Sequence, residues 1–204
     1  VAINKSSACK PKNGFMFATA SCWASLNKLF AFAFACGPCT AIIANSSRSW
    51  LKLILENYPL KSITKVSKKG KTAWKIPFAV VGGETYTLDH IENKILRVDY
   101  FDPRIHVGVN CASGSCPKLA NFAFTEGNID AKLESLMKIF INDTTRNQLS
   151  FKKVQISSIF DWYKQDFTKE GSVIDYINKY AETPVKPKAR IGYLTYDWSL
   201  NEKK

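Results

Sequence analysis

The order of helical and strand-like patterns is the feature that most constrains the fold of this 204-residue chain. Apolar residues at helical spacing predict an amphipathic helix over residues 128–142. Two strand candidates, 74–81 and 85–88, flank Gly82-Gly83 and predict a hairpin. Because helices and strands do not alternate as βαβ units, we expect an α+β fold: a single mixed domain over residues 1–204, with short strands and several helices.

Two shorter patterns lie between these segments. Asp89 followed by Glu92 has the spacing of a capping pair, which predicts a short helix to about Arg97. Apolar and polar residues then alternate over Ile105–Cys111, which predicts a half-buried strand. Such a strand places His106 and Asn110 on the same, non-core face.

Charge on the chain is positive and uneven. Lys and Arg number 29 against 17 Asp and Glu, a net charge of +12. Residues 61–75 contain six lysines and no acid, which predicts a solvated loop. This balance favours an anionic ligand or polymer as a partner without selecting one. No run of 18 apolar residues occurs, so we expect no transmembrane segment.

A first cysteine motif is Cys36-Gly37-Pro38-Cys39. In a C-x-x-C the first thiol can sit at a helix N-terminus, where the helix dipole lowers its pKa. The motif resembles the thioredoxin active-site tetrapeptide, and Ile76-Pro77 follows where that family places its cis-proline strand. The resemblance implies a thiol-disulfide oxidoreductase. No βαβ half precedes the motif, so a buried or disulfide-bonded structural pair is the alternative.

A second constellation begins with Asp102-Pro103-Arg104-Ile105-His106 and continues to Cys111 and Cys116. The predicted strand presents His106, and the small-residue loop after it can bring Cys116 back toward the imidazole. A Cys–His pair activates a nucleophile, because the imidazole takes the thiol proton. We therefore expect Cys116 as nucleophile and His106 as base in a hydrolase or transferase.

Neighbouring residues complete this hypothetical site. Asp102 or Glu92 would orient the imidazole, Arg104 would hold an anionic substrate group, and Asn110 lies on the same strand face as His106. Three other interpretations stay open: a Cys111–Cys116 disulfide, a core histidine, and a partial zinc site. The ligand spacing is irregular for zinc, so we expect neither a metal nor a cofactor. A non-enzymatic basic module for an anionic partner is the alternative function.

Several short motifs follow one another in a set order along the chain: Glu56–Ile63, Tyr86–Glu92, Ile95–Arg97, Asp102–His106, Ser115–Pro117, Trp162-Tyr163, Asp166-Phe167, Tyr193 and Tyr196–Asn201. Together they resemble the domain of unknown function 547 family. The resemblance spans about residues 51–201, and we expect residues 1–50 to form an atypical, helical N-terminal part. The resemblance implies a bacterial-type protein that is secreted, periplasmic or associated with the cell envelope, and it implies no activity.

One segment departs from that family. Helical spacing of apolar residues from Leu51 to Tyr58 predicts a helix that ends at Pro59. Immediately before it, the family typically reads Phe-Trp-Ile-Asn-Ala-Tyr-Asn-Ala. Residues 41–48 here read Ala-Ile-Ile-Ala-Asn-Ser-Ser-Arg instead. If the family's polar side chains there belong to its site, this chain has an altered site.

Overall fold

The computed structural model describes residues 59–77, 79–81, 83–111, 113–122, 124–125 and 127–201. Helices and short strands mix along this part of the chain, and the predicted α+β class is confirmed. The predicted helical N-terminal part, the predicted boundary near residue 50 and the Cys36–Cys39 motif lie outside the described residues.

The lysine-rich segment 61–75 is more ordered than the predicted loop. Strands β1 (Ser67–Lys68) and β2 (Lys71–Thr72) form a tight antiparallel hairpin. Lys69 and Gly70, at its tip, have φ of 51° and 73°, as a two-residue turn of this hand requires. Both strands are exposed, so the lysines are solvated, while apolar residues on either side of the hairpin are buried: Ile63, Val66, Ala73 and Ile76.

The next hairpin is confirmed, although it is shorter than predicted. Strands β3 (Ala79–Val81) and β4 (Glu84–Tyr86) pair antiparallel, with Ala79 opposite Tyr86. Gly83 turns between them with φ of 85°. Trp74 lies outside the strand, in the 3-10 turn Ala73–Lys75.

Helix α1 starts as Leu88–His90 and continues as a π-helix over Ile91–Tyr100. Its N-cap is Thr87, whose Oγ1 accepts from the His90 amide at 3.0 Å. The predicted Asp89–Glu92 capping pair is therefore wrong, because Thr87 already occupies the capping position.

The predicted strand Ile105–Cys111 is wrong, because the chain forms a helical turn, α2 (Ile105–Gly108). Asp102 Oδ1 accepts from the Arg104 amide at 2.8 Å, and the intervening Pro103 has a φ suited to a first helical turn. This Asp-Pro start favours a helix over a strand. Ile105, His106 and Val107 are all buried, so they do not alternate between two faces.

The amphipathic helix predicted over residues 128–142 is confirmed. Helix α3 (Ile129–Asn142) buries Leu133, Met137, Phe140 and Ile141, as its apolar stripe predicts. The last three helices are short and cover the sheet described next: α4 (Ile159–Trp162), α5 (Lys164–Phe167) and α6 (Val173–Asn178), the last with a capping box formed by Ser172 and Asp175.

A three-stranded sheet lies in the C-terminal half. Strand β6 (Lys153–Ile156) pairs antiparallel with β5 (Gln148–Leu149) and parallel with β7 (Arg190–Tyr193). Helices α3 to α6 and β6 share one apolar core, which contains Met137, Phe160 and Ile177. A smaller core around the lysine-rich segment has Trp74 and Trp198 packed against it.

The C-terminal segment after β7 joins the two cores. Leu200 N donates to Lys61 O at 3.1 Å, and Gly114 N donates to Ser199 O at 2.8 Å. Tyr196 packs against the larger core and Trp198 against the smaller one. The segment therefore lies beside the loop that contains the cysteines.

Candidate active site

A cavity of about 480 Å³ opens where the two cores meet. Its wall combines aromatic rings with a few polar groups, which include an imidazole, a carboxylate and two sulfurs. Helices α1, α2 and α4, the cysteine loop and the C-terminal segment each contribute. The residues are Trp74, Glu92, Asn93, His106, Val109, Cys111, Cys116, Pro117, Ile159, Trp162, Tyr163, Tyr196 and Trp198.

The cysteine loop, residues 110–117, is fixed from two sides. Arg146 donates from Nε to Cys116 O at 2.9 Å and from an Nη to Gly114 O at 3.1 Å. On the other side, Ser115 N donates to Asp197 O at 3.1 Å. A Cβ on Gly114 would lie 2.5 Å from Asp197 Oδ2, so any other residue here would displace the Asp197 carboxylate.

Asn110 closes the base of the loop. Its Nδ2 donates to Pro117 O at 2.8 Å, and its side chain is buried. Within the loop, the Cys111 amide donates to Cys116 Sγ at 3.1 Å. Both cysteines are free thiols, so their proximity comes from this fold of the loop and not from a disulfide.

The Cys111 sulfur lies among hydrogen-bonding groups. Ser113 Oγ lies 3.0 Å and Tyr196 Oη 3.4 Å from it. The hydrogen bond from Cys116 lowers the pKa of the Cys111 thiol most, burial opposes it, and Ser113 and Tyr196 lower it further, to about 6. Because donors around a sulfur favour its charged form, Cys111 is the thiolate of the pair.

The Cys116 thiol, in contrast, favours its protonated form. Its side chain is buried, with 3% exposure, whereas Cys111 is partly exposed. Its hydrogen bond to Cys111, and then burial, raise the pKa of the Cys116 thiol well above its ordinary value. The two sulfurs therefore divide into a protonated donor, Cys116, and an accessible acceptor, Cys111.

His106 is held in the cavity wall by a carboxylate and two rings. Its Nε2 lies 2.8 Å from Asp166 Oδ2. Tyr163 stacks on the imidazole at 4.0 Å between centroids, and Phe167 lies at 5.4 Å. These contacts leave the side chain 2% exposed and fix its orientation.

Asp166 is fixed in turn by Arg97 of α1. The guanidinium donates from Nε at 2.7 Å and from an Nη at 3.1 Å to the two carboxylate oxygens. Burial raises the pKa of Asp166, but the hydrogen bonds from His106 and Arg97 outweigh it and lower the pKa well below its ordinary value. The carboxylate is thus ionised, and a proton on His106 Nε2 is donated to it.

Tyr163 connects this network to Glu92. Its hydroxyl donates to Glu92 Oε1 at 2.7 Å, and the Arg97 guanidinium lies 4.9 Å from the centre of its ring. Burial, and then Glu92, raise the pKa of the Tyr163 hydroxyl, which therefore stays protonated.

The sequence-predicted site residues fall into two groups. Glu92, His106, Cys111 and Cys116 line the same cavity. Asn110 holds the base of the cysteine loop, as described above. Within the described part of the chain, no hydrogen bond joins either sulfur to the imidazole.

Asp102 and Arg104 lie away from the cavity wall and pair with each other. Arg104 donates from an Nη to Asp102 Oδ2 at 2.7 Å, and its other contacts are Asp130 and Glu134 on α3. The hydrogen bond to Asp102 raises the pKa of this guanidinium most. The pair links α2 to α3, and the structure places Asp166, not Asp102 or Glu92, on the imidazole.

Three site residues were missed as functional candidates: Tyr163, Asp166 and Tyr196. Each lies in a motif that carries the family resemblance, Trp162-Tyr163, Asp166-Phe167 or Tyr196–Asn201. They are more than 50 residues from His106 along the chain, and local spacing gives no reason to pair them with it. The shared motifs were the one available indication of their importance.

Among the described residues, no group of three His, Cys, Asp or Glu side chains is placed to hold a metal ion. In the same part of the chain, no helix is both long enough and apolar enough to span a bilayer. An exported location and an anionic partner stay predictions.

Comparison with known protein families gives a match over part of the chain. Residues 48–141 match the family model described as Protein of unknown function, DUF547. This segment includes α1, α2, the cysteine loop and most of α3, so the resemblance inferred from the motifs is confirmed over it. Searches of curated proteins and of solved structures gave no match.

Proposed function

We propose that this chain, whose residues 48–141 match DUF547, is a cysteine-dependent hydrolase or transferase with Cys111 as its nucleophile. The observation that carries the proposal is that one cavity holds both the Cys111 sulfur and an imidazole backed by a carboxylate. A nucleophile, an acid–base group and an orienting carboxylate are the parts of a cysteine acyl-transfer site.

The choice of Cys111 over Cys116 rests on their surroundings. Cys111 receives hydrogen bonds that favour a thiolate and faces the cavity, whereas Cys116 is buried and keeps its proton. A thiolate is the reactive form of cysteine. Cys116 then acts as a positioning residue, since its thiol donates to the nucleophile.

The proposed reaction has two steps, acylation of Cys111 and release of the acyl group. The Cys111 thiolate adds to an acyl carbon of the substrate, and the bond from that carbon to the leaving group breaks. For this step His106 must carry a proton on both ring nitrogens: the leaving group takes the one on Nδ1, and the one on Nε2 stays on the hydrogen bond to Asp166. Water, or a second nucleophile in a transferase, attacks the thioester, returns a proton to Nδ1 and releases the thiolate.

A simple ester tests the nucleophile. Full-length protein is mixed with p-nitrophenyl acetate, and the acetyl adducts are located by peptide mass spectrometry. We expect the adduct on Cys111, its loss in Cys111→Ser, and its retention on Cys111 in the matched variant Cys116→Ser. His106→Asn should leave the adduct in place and slow its hydrolysis.

Two results would overturn the proposal. One is an adduct on Cys116 in the wild-type protein. The other is acetylation of Cys111 no faster than that of a small thiol of the same pKa, because an enzyme site must add more than thiolate chemistry.

A further inference from the structure

One carboxylate and several aromatic rings dominate the cavity wall. Among the described residues that line the cavity, Glu92 is the one Asp, Glu, Lys or Arg. Five lining residues carry phenol or indole rings, and all are at least partly exposed: Trp74, Trp162, Tyr163, Tyr196 and Trp198. A wall of this composition attracts positive charge and offers no cation to a negative ligand.

The nearby charges do not reverse this preference. Arg97 lies over the Tyr163 ring, and its Nε and one Nη donate to Asp166 while the other Nη donates to Asn93 Oδ1. Arg97 and Asp166 therefore neutralise each other. The charge of the Glu92 carboxylate is therefore the one left over on the cavity wall.

The rings present negative π-faces to a ligand. Trp162 stacks on Trp198 at 5.6 Å with an interplanar angle of 19°, and Trp74 meets Trp198 edge-on at 5.8 Å. Trp162 is 47% exposed although it belongs to this cluster. An organic cation over such rings gains a cation–π attraction that a neutral group of equal size lacks.

We propose that the cavity binds an organic cation of the substrate, an alkylammonium or guanidinium group, between Glu92 and the aromatic rings. This inference rests on the proposed function, since it names the substrate group held beside the acyl carbon that Cys111 attacks. It deepens that function to transfer from acyl compounds that carry a basic group.

The net charge of +12 opposes cation binding only at long range. At 0.15 M salt, charges more than about 8 Å apart in solvent are largely screened. The partly buried Glu92 carboxylate acts at contact distance, where screening is weak. The local charge of the wall therefore decides the preference.

Binding is tested by calorimetry on full-length Cys111→Ser protein, in which no acyl transfer occurs. The probes are n-butylammonium and n-butylguanidinium, with the neutral alcohol 1-pentanol, which is one heavy atom larger than n-butylammonium, and the anion butyrate for comparison. We expect both cations to bind about tenfold more tightly than 1-pentanol, which corresponds to about 1.4 kcal/mol, and butyrate to bind most weakly.

Two substitutions locate the cation site. Glu92→Gln keeps an acceptor for the Tyr163 hydroxyl but removes the charge, and it should weaken cation binding about tenfold. Its matched control, Glu84→Gln, removes an exposed charge on β4 and should change nothing. If Glu92→Gln fails to fold, Trp162→Leu at an exposed position serves as the second variant, and it should also weaken cation binding.

The outcomes separate this inference from the proposed function. Equal affinity for 1-pentanol, or tighter binding of butyrate, would overturn the cation site even if p-nitrophenyl acetate still acetylates Cys111. Cation binding that depends on Glu92, without acetylation of Cys111, would leave the site standing and refute the enzyme.

Discussion

Replacing Asp166 by Asn removes the charge that holds Arg97 and His106. The carboxylate accepts three hydrogen bonds, from Arg97 Nε at 2.7 Å, from an Arg97 Nη at 3.1 Å and from His106 Nε2 at 2.8 Å. The Asn side chain keeps one acceptor oxygen, but its NH2 group would face hydrogen-bond donors of Arg97 or His106.

The magnitude follows from the exposure of the partners. Breaking a fully buried ion pair costs about 3–5 kcal/mol, and a hydrogen bond to a charged group contributes about 1.5–3 kcal/mol. The side chains of Arg97 and Asp166 are 25% and 14% exposed, so solvent recovers part of the loss. We expect Asp166→Asn to lower the free energy of unfolding by about 2–4 kcal/mol at pH 6.

The loss should depend on pH in a defined direction. The folded-state pKa of Asp166 is lowered, so its contribution is fully present above the unfolded value, near pH 4. That contribution is lost as pH falls toward the folded pKa. The difference between wild type and Asp166→Asn should therefore be larger at pH 6 than at pH 3.

Urea unfolding followed by tryptophan fluorescence measures this difference at both pH values. Asp161→Asn, an exposed position on the neighbouring α4, is the matched control and should change stability by less than about 0.5 kcal/mol. An equal loss at pH 3 and pH 6, or a loss at pH 6 no larger than that of the control, would refute the reasoning.

Three further predictions concern the cysteine loop. Gly114→Ala should lower stability by about 1–3 kcal/mol in thermal unfolding, because the added Cβ meets the Asp197 carboxylate; an unchanged Tm would contradict this. Arg146→Met removes the hydrogen bonds to the loop carbonyls and should slow alkylation of Cys111 by iodoacetamide. An unchanged rate would show that the loop keeps its conformation without Arg146. Mild oxidation with diamide should join Cys111 to Cys116, since the Cys111 amide already contacts the Cys116 sulfur, and non-reducing peptide mapping detects the product or its absence.

The fold class and the longest helix could be predicted from the sequence, because both follow from strong periodic patterns. The apolar stripe of α3 is one such pattern. Ile105–Cys111 was mispredicted because four residues of helix also alternate by chance, and the Asp102-Pro103 start carries the decisive information.

Part of the site could be predicted for a different reason. His106, Cys111 and Cys116 lie within 11 positions of one another and share one cavity. Asp166 reaches His106 from 60 positions away, and no local pattern encodes that contact. The preference for Cys111 over Cys116 depends on Tyr196 and on burial, which only the folded chain defines.

The pH dependence of Cys111 alkylation tests the central claim most directly. Iodoacetamide reacts with the thiolate, so the rate at Cys111, read by peptide mass spectrometry, follows its ionisation. The account predicts a midpoint near pH 6 for the wild-type protein, and a higher midpoint for Tyr196→Phe, which lacks one hydrogen-bond donor to the sulfur. A wild-type midpoint at or above about 8.5, the ordinary pKa of cysteine, would contradict it.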